Sequence, residues 1–142
     1  MPLGRFPLDR VASLDELAAD CSLRWSDIVR IAKFDDRKLA EPYDDYLLSY
    51  HSGMLVSDAR SEMEARGIVP ATLREVLCIL RERPELLDSD RTMVVYGSKG
   101  RFGVDAGYPY LIMVSTIPYI SFLPECASVG ISSIIITRAA TT

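Results

Sequence analysis

Charge leaves this chain about two-thirds of the way along. Residues 1–90 carry twelve Lys/Arg and eighteen Asp/Glu, a net of −6, whereas residues 91–142 carry only Arg91, Lys99, Arg101, Arg138, Asp105 and Glu125, a net of +2. Six charges do not keep a 52-residue segment solvated on every side. That segment is therefore expected to bury most of itself against the first half, a second copy or a partner.

At 142 residues the chain is sized for one domain, spanning 1–142 with a 1–90 part and a 91–142 part. A chain of this length buries roughly two-thirds of its unfolded surface. A net charge of −4 and a pI near 5.0 argue against a general nucleic-acid or anionic-membrane binder. Cys21, Cys78 and Cys126 are odd in number and show no C-x-x-C spacing, which suits three buried thiols in a reducing cytosol. MPLGRFPLDR offers neither an apolar stretch nor a cleavage site, so no signal peptide is expected. The longest apolar stretch, 108–124, is broken by Pro109, Pro118, Ser115 and Thr116 and does not make a membrane helix. A cytoplasmic protein without a membrane partner is the expectation.

Helix signals dominate the first 90 residues. Ser13-Leu-Asp-Glu16 reads as a capping box ahead of Leu14, Leu17 and Ala18. A second helix is expected over Trp25 to Phe34, with Ile28, Ile31 and Ala32 inward. Pro42 can open a third, because Tyr43, Leu47, Tyr50 and Met54 recur at helical spacing. After Gly53 the stripe shifts to Leu55, Ala59 and Met63, and Gly67 is placed to end that helix. Thr72-Leu-Arg-Glu75 is a second capping box before Leu73, Val76, Leu77 and Leu80, and Pro84 stops the run.

From Arg91 the pattern changes to strands. Thr92–Tyr96 and Arg101–Asp105 flank the turn residues Ser98-Lys-Gly100, predicting a hairpin with Gly100 at positive φ. Tyr110–Thr116, Tyr119–Leu123 and Ile131–Thr137 supply three more strands. Their near-continuous apolar runs predict burial on both faces or at an interface. The expected fold is α+β: an N-terminal helical part packed on one face of a C-terminal, mostly antiparallel β-sheet.

Chemistry is sparsely signalled. Residues 14–33 resemble a helix-turn-helix unit, in which Arg24, Ser26, Arg30 and Lys33 would meet nucleic acid. Trp25 and Val29 share that outward side, and Asp27 would repel phosphate, so a plain helical pair or a protein contact explains the segment better. Gly97-Ser-Lys-Gly-Arg-Phe-Gly103 lacks the Walker spacing and a following helix, and reads as a solvated hairpin tip. His51 is the sole histidine, and Cys78 lies in a core-like run. Asp44/Asp45 and Glu82/Glu85/Asp88/Asp90 read as solvated helix ends. No ligand-spaced Cys/His set or nucleophile motif occurs, so no metal, cofactor or catalytic residue is expected. The reading is a small non-enzymatic cytoplasmic protein acting by protein–protein interaction or regulation, contacting another protein or a second copy of itself. Its candidate interface residues are Trp25, Val29, Tyr110, Ile112, Tyr119 and Phe122, and nucleic-acid binding through 14–33 is the alternative.

Overall fold

The computed structural model describes residues 2–9, 11–26, 33–34, 46–50, 54–88, 91–102, 104–129 and 133–138. Three of its segments are α-helices: α1 (Leu14–Asp20), α2 (Val56–Ala65) and α3 (Leu73–Glu82). Ser13 caps α1 by accepting from the Glu16 amide. Its exit is a Schellman turn: the Leu23 amide bonds Ala18 O and the Ser22 amide bonds Ala19 O, with Ser22 at φ +58°. Gly67 (φ +70°) closes α2 in the same way, with Ile68 bonding Met63 O and Gly67 bonding Glu64 O. The capping box of α3 forms in both directions, and the remote Ser98 hydroxyl accepts the Leu73 amide at 2.8 Å. Pro84 opens a short 3₁₀ turn, Pro84–Leu86, beyond the end of α3.

Twelve strands accompany the helices: β1 (Pro2–Gly4), β2 (Arg24–Trp25), β3 (Lys33–Phe34), β4 (Tyr46–Tyr50), β5 (Met54–Leu55), β6 (Val69–Pro70), β7 (Thr92–Val94), β8 (Gly100–Phe102), β9 (Asp105–Val114), β10 (Ile117–Pro124), β11 (Ser128–Val129) and β12 (Ser133–Arg138). Ten make one sheet with the path β1-β4-β12-β7-β9-β10-β2, onto which β3, β6 and β8 attach. Pairing is antiparallel except at β12–β7 and β10–β2. β5 and β11 form a separate two-stranded pair.

The class is α+β, but several local expectations are overturned. Trp25 lies in β2 and Lys33 in β3, so the helix expected over 25–34 is absent at its described ends. The Ser22 turn leads the chain into the extended residues Arg24 and Trp25. Tyr46–Tyr50 is a strand in which Tyr46 and Leu48 are buried while Leu47 and Ser49 are half-buried, an alternation that outweighs the i, i+4 spacing read from Pro42. β7 and β8 do not pair with each other; both pair with β9. Gly100 is not among the positive-φ glycines. The strand expected to run through Thr116 stops at Val114, because Ser115 (φ +51°) and Thr116 (φ +70°) form the β9–β10 turn. The expectations at Val29, Arg30, Asp44/Asp45, His51 and Asp90 lie outside the described residues.

Helices cover both faces of the sheet, not one, and strands from the N-terminal half enter it. On the first face α1 and α3 bury Leu17, Ala18, Leu77 and Ile79 against Leu48, Met93, Leu111, Ile120 and Ile134. On the second face α2 buries Val56, Ala59 and Met63 against Val94, Tyr96, Tyr108 and Ile135. Strand alternation assigns the sides, so Ile134 and Ile136 go to the first core and Ile135 to the second. This accounts for the continuous apolar run of β12, whose residues Ser133 to Thr137 are all buried.

α3 is enclosed almost completely, with all eight residues from Leu73 to Leu80 buried. Its two charged members there are satisfied internally, as buried charge requires. The Arg74 guanidinium donates to the carbonyls of Asp9 and Ala12, which straps the N-terminal segment over the helix. Asp9 Oδ1 fixes that strap by accepting the Val11 and Ala12 amides, holding its carboxyl below the ordinary value. Glu75 is 2 % exposed; it accepts from Tyr46 Oη at 2.5 Å and from Arg138 Nε at 3.0 Å. A second, shorter contact from Arg138 Nη2 makes the pair two-pronged. The cluster pins α3 to β4 and β12.

Candidate functional site

The hairpin of β9 and β10 carries the feature that opened the sequence. No Lys, Arg, Asp or Glu lies between Asp105 and Glu125. Its register pairs Ile112 with Tyr119, Leu111 with Ile120 and Tyr110 with Ser121. Leu111 and Ile120 point into the first core, and Met113 and Phe122 pack against it from the same side. The opposite side presents Tyr110, Ile112, Val114, Ile117 and Tyr119. Tyr110 still reaches the core beneath α2, but Ile112, Ile117 and Tyr119 are only half-buried and Val114 is 49 % exposed. The edge of the hairpin is less open than this face. β2 pairs with β10 at Tyr119 and Ile120, and Pro118 and Pro124 remove amide donors near its ends.

The six expected interface residues therefore do not share one surface. Tyr110, Ile112 and Tyr119 face outward together, whereas Trp25 and Phe122 pack on the first core, and Val29 lies outside the described residues. The four nucleic-acid candidates fare similarly. Arg24 is exposed in β2 opposite Tyr119, Ser26 continues that edge by donating its amide to Ile120 O, and Lys33 is in β3 against β8. Arg24, Trp25, Ser26 and Tyr119 line one open groove of about 640 Å³ along the β2 edge. This is a strand edge, and no recognition helix is present at the described positions. Residues 27–32, the middle of the expected second helix, lie outside the described residues.

Sequence reasoning missed a second concavity, a cleft of about 390 Å³ on the α2 side of the sheet. Its floor is Tyr96 and Tyr108, both nearly buried, with ring centroids 5.2 Å apart. Ser57, Arg60 and Ser61 line the wall from α2, and their i, i+3, i+4 spacing was the available signal. Lys99 and Glu125 close the other side with a 2.9 Å ion pair. Gly97 brings the chain there: a Cβ at this position would collide with the Ala71 carbonyl. Burial pushes the Tyr96 phenol well above its ordinary value, with Tyr108 adding to the effect. Burial also raises Tyr108, although Lys99 and Arg60 both favour its ionised form. The Glu125 hydrogen bond and charge hold Lys99 above the usual lysine value.

The remaining chemical candidates are structural. Cys78 is buried and its sulfur accepts the Asp9 amide, while the Cys21 thiol donates to Leu77 O and is pushed up to about 11, chiefly by burial. Both are poor nucleophiles in that state. Cys126, expected to be buried, is exposed. Ser98, within the glycine-rich segment, spends its hydroxyl on α3, so the segment serves as a helix cap. Among the described residues no group of His, Cys, Asp or Glu is arranged to hold a metal ion. No helix of the described residues is long and apolar enough to cross a membrane. No family model, curated protein or solved structure matches the chain.

Proposed function

We propose that this protein acts by association, using the outer face of the β9–β10 hairpin, and that a second copy of the chain is its partner. The observation that carries this reading is the uncharged, half-covered face formed by Ile112, Val114, Ile117 and Tyr119. Natural sheets guard an open side with charge, and this one has none between Asp105 and Glu125. The hairpin itself brings no charge to a contact with a second copy, and exposed Arg24, opposite Tyr119, stands at the rim of the face. The proline-flanked edge directs contact to the face instead of to strand addition. Three free thiols, Cys78 within α3 and Cys21 against it, suit a reducing compartment and support a cytosolic setting.

Sedimentation equilibrium over a concentration series tests the proposal. The expected result is a reversible dimer that Ile112→Lys and Tyr119→Lys each convert to monomer while circular dichroism stays unchanged. A monomer at every concentration would overturn the reading. A dimer that persists in both variants would remove the hairpin face from it.

A further inference from the structure

We propose that the cleft between α2 and the Gly97–Lys99 turn binds a small ligand through a single anionic group, a carboxylate or a phosphate. Donors from three separate elements converge there. Ser57, Arg60 and Ser61 come from α2, the Tyr108 hydroxyl from β9 and the Lys99 ammonium from the turn. A guanidinium offers five N–H groups and an ammonium three, and they share the lining with the carboxylates of Glu64 and Glu125. Lys99 pairs with the Glu125 carboxylate, and Arg60 has no ion pair among the described residues. Arg60 from the helix and Lys99 from the turn line the cleft with the Tyr108 hydroxyl and favour its ionised form, while Glu125 opposes it. An acceptor placed there would take charge-assisted hydrogen bonds from both sides.

The rest of the lining narrows the ligand class. Glu64, one turn beyond Arg60 on α2, adds a carboxylate to the same cleft. A polyanion would be repelled there, so the fitting ligand carries one negative group and a neutral or cationic remainder. The volume suits a molecule of metabolite size. This site stands apart from the hairpin face and from the association proposed above.

The test is a nuclear magnetic resonance titration of the whole chain with inorganic phosphate and, in parallel, with N-acetylglycine, each against sodium chloride of equal ionic strength. The expected result is saturable shifts confined to residues 57–64, 97–99, 108 and 125 with at least one probe, and the arm that binds tighter identifies the group. Arg60→Gln should weaken binding by about tenfold or more, as loss of a charged hydrogen bond does. Ser61→Asp, at an exposed helix position, should abolish binding without disturbing the fold. Absence of saturable shifts with both probes, shifts centred elsewhere, or unchanged affinity in Ser61→Asp would each overturn the proposal.

Discussion

Glu75 shows how one side chain can hold three elements together. Its carboxylate completes the α3 capping box, receives the Tyr46 hydroxyl and takes both prongs of Arg138. Every acceptor position is used, which is the condition under which a buried charge is tolerated. Glu75→Ala would leave the Arg138 guanidinium buried without its partner and uncap the helix. The expected loss is about 3–5 kcal/mol, read as a fall in the urea midpoint. The sequence announced only part of this. Thr72 and Glu75 were legible as a capping box because both partners are local. Tyr46 and Arg138 are 29 and 63 residues away from Glu75, and no spacing rule connects them. The cleft was hidden for the same reason, since Arg60, Lys99 and Tyr108 meet only after the sheet forms.

At the scale of elements, helices with local start and stop signals were readable and short strands were not. α1, α2 and α3 each carry a cap or a left-handed exit within a few residues of their ends. Trp25 and Tyr46–Tyr50, read as parts of helices, lie in strands whose conformation is set by partners elsewhere: β10 for β2, and β1 and β12 for β4. Propensity yields to tertiary pairing in such cases. The β9–β10 turn makes the point in reverse. Two consecutive left-handed residues usually call for Asn-Gly, yet Ser115 and the β-branched Thr116 occupy them. The left-handed region costs an L-residue roughly 1–2 kcal/mol. Thr116→Gly is therefore expected to raise stability by about 1 kcal/mol, seen as a higher urea midpoint with an unchanged slope. A fall in stability would show that the Thr116 side chain makes a compensating contact.

Across the whole molecule, two apolar layers sit on opposite sides of one sheet, and each contains groups that resist ionisation. Cys21, beside the first core, is pushed up from 9.0 to about 11, and burial raises Tyr96 and Tyr108 beneath α2 from 10.0. The folded chain keeps these protons to higher pH than the unfolded chain does. Stability from these groups is thus fully present below pH 9 and declines as pH rises past the unfolded values of 9.0 and 10.0. Denaturant titrations at a series of alkaline pH values should show this decline, and Tyr96→Phe should make it shallower. The order of assembly follows from the place of β12. This strand is the last one described along the chain, yet it lies between β4 and β7 and also pairs with β6. A chain emerging from the ribosome will have made α1, α2 and α3 while this central slot is still vacant. Until residues 133–138 arrive, Leu48 and Met93 have no strand between them and Glu75 has no Arg138. Completion of the fold therefore waits for residues 133–138, and a chain stalled before that point would present an adhesive, half-built sheet to its surroundings.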